Sequence, residues 1–428
     1  MQQSDKSQAP VLLDITRLIG RAHRAGPSGI DRIELAYAQH FLVDGAAGRP
    51  AFAVVHLRGW VFGLRPDCAR RFVRKVAARW QGGSVDGGGA RPAGIVDLYA
   101  TLLLGAHWMA GWELRLRLKR HRLPPVYLVV SHHELSNSVR LEKIRRRFGA
   151  RVVGFLHDLI PVEYPEYVEE GLAQRHRRML KTIAGSVDSV IVNSQTTAAS
   201  LRRFLGADAI SGKNFPQIHV ALPGITPFPL ADTAADMPAA DSVPYFVIIG
   251  TIEPKKNHVL LLKLWMELAK SMAMPPRLLV VGARGWQCRQ AVELLEQSRR
   301  LHGPVDEHNQ LNDFAVGSLL RGARAVLLPS LVEGFGLPLA EALASGIPVI
   351  CSDIPAFREI GREVPDFLDP QDREAWRAAV IDYCAVDSPR RAAQLQRLAR
   401  WSAPQWATHF GIVDDVLTQA SASPRIAS

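Results

Sequence analysis

The sequence predicts an α/β protein built of two doubly wound domains facing one another across a cleft. Three observations carry that prediction. At 428 residues the chain exceeds the ~250–300 residues at which a single hydrophobic core stops growing. Short Val/Ile/Leu-rich runs alternate with helical patterns along its length, the pattern of parallel strands covered on both faces. Across residues 222–244 the alternation gives way to LPGITPFPLADTAADMPAADSVP, rich in Pro, Ala and Asp, as an interdomain linker is. The predicted organisation is an N-terminal domain over 1–222, a linker over 223–243 and a second domain over 244–400. A C-terminal helix over 401–428 is expected to pack back toward the first domain.

Taken in order, the predicted strands of the first domain are VLLDI (11–15), FAVVHL (52–57), VYLVV (126–130), RVVGFL (151–156), SVIVN (189–193) and IHVA (218–221). Those of the second are YFVIIG (245–250), RLLVVG (277–282), AVLLP (325–329) and PVICS (348–352). In such sheets ligands gather beyond the carboxyl ends of the strands. The residues that follow each strand are therefore the candidates for chemistry. After the first strand comes a loop with Gly26, Ser28 and Gly29. After VYLVV come His132 and His133, and after RVVGFL come His157 and Asp158. A second glycine-rich stretch, QGGSVDGGGARPAG (81–94), reads as a surface loop without visible chemistry.

The net charge of +11 is unevenly spread. Residues 1–220 hold 32 Lys and Arg against 18 Asp and Glu, and the remainder holds 20 against 23. Clusters lie at RRFVRK (70–75), RLRLKRHR (115–122) and RRR (145–147). The first half thus attracts anions, and nucleic acid, anionic lipid and phosphorylated substrates all fit. Four cysteines, Cys68, Cys288, Cys351 and Cys384, lack CxxC spacing, which argues for reduced thiols and against a disulfide framework or zinc site. The first twenty residues show no export signal, so a cytoplasmic location is expected. No run reaches the ~18–20 apolar residues of a membrane-spanning helix. The nearest, LYATLLLGAHWMAGW (98–112), runs into a basic tail. It reads either as a buried helix or as an interfacial helix on an anionic membrane.

Residues 333–341, EGFGLPLAE, hold two glutamates eight positions apart. Pro338 suits the first turn of a helix, which leaves Glu333 in the preceding loop and Glu341 about one turn inside. Glycines admit a ligand to the backbone, and a helix start offers N–H groups and a positive dipole end to a phosphate. Carboxylates aimed at phosphate would repel it. Beside it they suit neutral donors, above all sugar hydroxyls. The alternative is a purely structural carboxylate pair around a turn.

PSLVEGFGLPLAEALASGIPVICSDIPAFREIG (329–361) closely resembles the donor-binding signature of family-4 retaining glycosyltransferases, which have the GT-B fold of two Rossmann-like domains. Their EX7E motif matches Glu333 and Glu341. The resemblance extends to GTIEPKKNH (250–258), FLHDLIP (155–161), VNSQTTAASL (192–201) and PSGIDRIE (27–34). It implies that Glu341 holds the ribose diol and Glu333 the transferred sugar, with Gly334, Phe335, Gly336 and Leu337 approaching sugar and diphosphate. Lys256 matches the diphosphate-binding lysine, with Lys255 a weaker candidate. Thr251 stands where some members carry a second, arginine contact. His157 falls on a donor-sugar position and Gly29 on the donor side. Ser28, Arg32, Asp158 and His132 fall on the acceptor side.

The resemblance implies a retaining, metal-independent hexosyltransferase without a cofactor. The chain has no Asp-x-Asp tripeptide. The implied donor is a nucleotide sugar, GDP-mannose favoured. The implied acceptor is a glycan or polyprenyl-diphosphate-linked glycan of bacterial surface polysaccharide or lipopolysaccharide, with peripheral contact to the inner face of an anionic membrane. Alternatives are a GT-B sugar-nucleotide epimerase or phosphorylase and, more distantly, a non-catalytic protein that binds anions or nucleic acid. No helix-turn-helix, zinc finger or aromatic RNA-binding motif supports nucleic acid as a partner.

Overall fold

The structure is a computed structural model that describes residues 8–24, 26–57, 59–81, 108–207, 215–229, 243–309 and 311–422. The chain divides into two compact units. One comprises residues up to Leu159, Gln174–Pro223 and the segment from Trp406 onward; the other comprises Ile160–Ala173 and Gly224–Gln405. Most of the glycine-rich stretch 81–94 and of the interdomain segment falls outside the described residues, as does the side chain of His133.

The first unit is built on an eight-stranded sheet of order β4-β3-β2-β1-β5-β6-β7-β8. Its strands are β1 (Val11–Asp14), β2 (Ala51–Leu57), β3 (Trp60–Leu64), β4 (Trp108–Met109), β5 (Val126–Val129), β6 (Arg151–Leu156), β7 (Ser189–Val192) and β8 (Gln217–Val220). β1, β5, β6 and β7 are buried along their whole length, which is why they read as continuous rather than alternating apolar runs. The helix Trp406–Ala422 packs on β5, β6 and β7. It is fastened by Arg49, which donates to Asp414 Oδ1 at 3.1 Å and to Thr418 Oγ1 at 3.0 Å.

The second unit is built on six parallel strands of order β11-β10-β9-β12-β13-β14. They are β9 (Tyr245–Ile249), β10 (Arg277–Val281), β11 (Val305–His308), β12 (Val326–Leu328), β13 (Val349–Ser352) and β14 (Asp366–Leu368). A core of Phe246, Ile248, Leu264, Trp265, Leu278, Leu327, Trp376 and Tyr383 fills one face of this sheet.

The strands expected in the first unit do pair parallel, and the sheet gains at one edge β3, antiparallel to β2 and to β4. One expectation is corrected: residues 108–110 do not continue a helix. Trp108 and Met109 form the edge strand, and a helix begins only at Gly111 and ends at Leu118; the earlier part of that apolar run lies outside the described residues. Four strands escaped the sequence reading. Two of them are three residues or fewer, and VDEH of β11 carries too little apolar character to resemble a strand.

Both sheets reverse direction of growth at their centres. The chain passes from β9 to β10 on one side and from β12 to β13 on the other, so β9 and β12 flank a switch point. β1 and β5 do the same in the first unit. At such points the connecting loops diverge and leave a crevice beyond the carboxyl ends of the strands.

Candidate active site

The second unit concentrates its candidates at the β9/β12 switch point. After β9 the chain turns through Gly250, whose φ of +145° is open to glycine. A Cβ on Gly282 would overlap the Gly250 carbonyl, so two glycines allow the ends of β9 and β10 to close on each other. A 3-10 turn, Pro254–Lys256, follows and is stopped by Asn257 in the left-handed region at φ +54°. Asn257 Nδ2 donates to the Pro370 carbonyl at 3.1 Å, which holds that turn. The Leu331 N–H donates to the Lys255 carbonyl at 2.7 Å, tying the β9 turn to the loop after β12.

Across that tie Lys256 Nζ donates to Glu333 Oε1, and Ser330 Oγ donates to the same oxygen at 2.8 Å. Both charged side chains are largely buried, 13% and 10% exposed. Lys255 pairs with Glu253 at 3.3 Å. Thr251 sits with its methyl against Gly285, where a Cβ would overlap it. Arg284, bridged to Ile252 through the backbone, has its guanidinium forked on Glu307 at 2.7 and 2.8 Å.

Beyond Glu333 and Gly334 the Phe335 ring is buried and Gly336 adopts φ +96°. A Cβ there would lie 2.9 Å from the Phe357 ring. Gly336 is the N-cap of the helix Leu337–Ala344, with Pro338 in its first turn. Glu341 is buried within that helix, and its carbonyl accepts from Ser345 Oγ at 2.8 Å. Next to this turn, His258 opens the helix His258–Ser271. Burial, aided by the Lys256 charge, pushes its imidazole down to about 3, so it is neutral at physiological pH.

In the first unit, Ser28 caps the helix Gly29–Ala38. Its Oγ donates to Asp31 Oδ2 at 2.6 Å, and its N–H donates to the same oxygen at 2.8 Å. Arg17 binds Asp31 and Glu34 at 2.7 and 2.5 Å. These contacts fix the Ser28–Gly29 loop and commit Ser28 to capping. Arg32 is half-buried on the same helix. Burial pushes Glu34 up to about 8 against the opposing pull of Arg17.

His157 is buried at the end of β6. Its Nε2 donates to the Val130 carbonyl at 2.9 Å, so that nitrogen carries a proton. Its own carbonyl accepts from Asn193 Nδ2 at 2.8 Å. The His132 ring lies edge-on to those of His157 and His176, with centroids 5.2 and 5.0 Å apart. His176 in turn bonds the Asp158 carbonyl at 3.0 Å. The structure thus gathers His132, His157 and Asp158 beyond the neighbouring ends of β5 and β6, and Lys256, Glu333 and the Gly336 turn beyond those of β9 and β12. Among the described residues no three His, Cys, Asp or Glu side chains converge as metal ligands. Ser330 and Asn257 were overlooked in the sequence. The available signals were a hydroxyl three positions before Glu333 and an asparagine at the end of a Pro-Lys-Lys turn.

Two family models match the chain: Glycosyltransferase Family 4 over residues 75–212 and Glycosyl transferases group 1 over residues 233–394. The chain carries both of these glycosyltransferase domains. Among curated relatives, the chain is 30% identical over 232 residues to the serotype-specific mannosyltransferase WbdA of Escherichia coli, covering 51% of this chain and 28% of WbdA. It is 28% identical over 267 residues to the O-antigen chain mannosyltransferase B of Escherichia coli, covering 60% and 67% of the two chains. The matched segment therefore spans little more than a quarter of WbdA's length. Among solved structures, Anabaena Alr3699/HepE in complex with UDP and glucose aligns with a TM-score of 0.61 at 13% identity, covering 96% of this chain and all of that one. That likeness establishes the fold. Among the described residues no helix is long and apolar enough to cross a membrane.

Proposed function

We propose that this glycosyltransferase moves a hexose, with retention of configuration and without a metal, from a nucleotide sugar to a glycan or lipid-linked glycan acceptor of a bacterial surface polysaccharide. The observation that carries the reading is the Lys256–Glu333 pair at the β9/β12 switch point, set beside the helix start at Gly336. GDP-mannose is the proposed donor, supported by the names of the two mannosyltransferase relatives.

In this reading the diphosphate takes the Lys256 ammonium and the amides at the start of the Leu337–Ala344 helix, where a lysine acts as a compact point charge. Glu333, released from Lys256, accepts from a hydroxyl of the hexose, and Glu341 accepts from the ribose diol. Each exchange replaces one charge-assisted bond by another, so the apo ion pair costs little to open. As the glycosidic bond loosens, negative charge grows on the leaving diphosphate. Lys256 and the helix-start dipoles stabilise that charge more in the transition state than in the ground state. The first unit binds the acceptor, and the proposed partner of its His157, held by Val130 and Asn193, is the donor sugar.

Incubation of the purified protein with a panel of nucleotide sugars tests this. Slow release of nucleoside diphosphate that accelerates with glycan acceptor, persists in EDTA and gives an α-linked product from an α-linked donor is the expected result. Conversion of the donor without an acceptor, or consumption of inorganic phosphate, would replace the transferase reading by an epimerase or a phosphorylase.

A further inference from the structure

A cleft of about 500 Å³ opens in the second unit between the turn that follows the helix Pro355–Gly361 and the end of the helix Pro389–Leu398. That size falls in the range of small-molecule sites. Its place in the fold separates it from the Lys256–Glu333 site. The helix Pro355–Gly361 leaves the carboxyl end of β13 and returns the chain to the amino end of β14 at Asp366. The second helix is pinned at the same edge. Gln394 Nε2 donates to the Val349 carbonyl at 2.6 Å, and its Oε1 accepts from the Val349 N–H at 2.9 Å, where β13 begins. Lys256 and Glu333 follow the carboxyl ends of β9 and β12, so the cleft lies at the opposite edge of the same sheet.

The walls carry three arginines and one acid. Arg397 Nη2 donates to the Val364 carbonyl at 3.0 Å and to Asp366 Oδ1 at 2.7 Å, which holds that side chain in place. Arg362 and Arg400 are exposed, and among the described residues neither guanidinium has an ion-pair or hydrogen-bond partner. The acid, Glu363, stands 4.0 Å from Arg358 and is 90% exposed, so it neutralises neither of them. Arg362 also holds φ +52°, a conformation that glycine adopts freely and a larger side chain only under strain. Strain of this kind at a residue without a partner is a pointer to function.

Trp401 supplies an apolar wall. Its Nε1 donates to the Ile360 carbonyl at 3.1 Å, which fixes the ring, and Val364 and Ala393 extend the apolar lining. Gln396 adds a neutral amide. A pyranose offers an apolar C–H face to an aromatic ring and hydroxyls to amide and guanidinium groups. A phosphate monoester matches the planar fork of arginine. Phosphate alone would use the cations and leave the indole idle, and a neutral sugar would do the reverse. We propose that the cleft binds a phosphorylated sugar, with its ring on Trp401 and its phosphate on Arg362 and Arg400. The site is separate from Lys256 and Glu333, so it stands or falls independently of the transferase reading.

Calorimetric titration of the full chain with mannose 6-phosphate, glucose 6-phosphate, mannose and inorganic phosphate tests it. The same titrations on Lys256→Ala remove the contribution of the donor site. At least one sugar phosphate should bind about tenfold more tightly than mannose or phosphate alone, equally in both proteins. Arg362→Gly combined with Arg400→Ser should weaken that binding at least about tenfold. Arg362→Gly alone should leave the melting temperature equal or higher, because glycine relieves the positive φ. Arg400→Ser alone, at an exposed side chain, reads the loss of binding if the double variant fails to fold. A mannan oligosaccharide ending in a phosphate monoester separates the two sources of the ligand. Tighter binding than mannose 6-phosphate assigns the cleft to a glycan end, and weaker binding assigns it to a free sugar phosphate. Absence of binding, binding matched by inorganic phosphate, or binding undiminished by loss of the two arginines would overturn the proposal. So would binding that Lys256→Ala abolishes, since the ligand would then occupy the donor site.

Discussion

Lys256 and Glu333, 77 positions apart, form an ion pair that joins the turn after β9 to the loop after β12, and Ser330 donates to the same carboxylate oxygen. The pair occupies the two groups assigned here to diphosphate and to sugar, which gives them opposite roles toward a ligand that lacks the sugar. Lys256→Ala should weaken nucleoside diphosphate binding by about 10–100-fold, the range of one charge-assisted contact. Glu333→Ala should leave that binding equal or tighter, because it frees the lysine, while lowering turnover of the nucleotide sugar. Calorimetric titration of both variants with the same diphosphate checks the difference in sign.

Glu341 is buried within the Leu337–Ala344 helix. If its carboxylate accepts from the ribose diol, removing the hydroxyls should cost the parent protein about 1.5–3 kcal/mol of affinity. Glu341→Gln should bind ribo and dideoxyribo diphosphates with nearly equal strength. Retention of the full preference for ribose by that variant would refute the assignment.

Gly336 combines a φ of +96° with the Phe357 ring beside its Cα. Gly336→Ala therefore meets both backbone strain and a steric overlap, together about 1–3 kcal/mol. Melting should fall by several degrees, and nucleotide binding should weaken as well because this residue sets the helix start. Gly346→Ala also has positive φ but meets no atom within 4 Å, so it should reproduce the strain part of the stability loss without the binding loss.

The sequence made the sheets legible to the extent that their strands are buried on both faces. β1, β5, β6 and β7 were evident as apolar runs, whereas VDEH at the β11 edge and the two residues of β4 offered no pattern. Glu333, Gly336 and Glu341 stood out through their spacing around Pro338. The partnership of Glu333 with Lys256 did not, because it depends on β9 and β12 being neighbours, a consequence of strand order that local pattern does not encode. The same holds for Ser28. Its glycine-flanked setting reads as a substrate loop, but the hydroxyl is engaged by Asp31 three residues on.

Acid should destabilise the first unit through His409. Its Nε2 lies 2.9 Å from the Tyr37 hydroxyl and its Nδ1 3.1 Å from the Leu222 carbonyl. Burial pushes the imidazole down to about 4 from an ordinary 6.5. The unfolded chain then binds a proton that the folded chain refuses, so stability is full above pH ~6.5 and declines as pH falls toward 4. The loss amounts to about 3 kcal/mol over that window, from 1.36 kcal/mol per pH unit. His409→Asn should flatten the pH slope in urea unfolding between pH 6.5 and 4.5, whatever its effect at pH 7. An unchanged slope would contradict the role given to this histidine.

The central claim is that the turn from Ser330 to Glu341 and the lysine facing it hold the activated sugar. Its most direct test is a crystal structure of the protein soaked with the nucleotide sugar it turns over. The account predicts a diphosphate oxygen within hydrogen-bonding distance of Lys256 Nζ, the hexose beside Glu333 and the ribose diol on Glu341. Density for the diphosphate at any other strand end, with Lys256 still bound to Glu333, would contradict it.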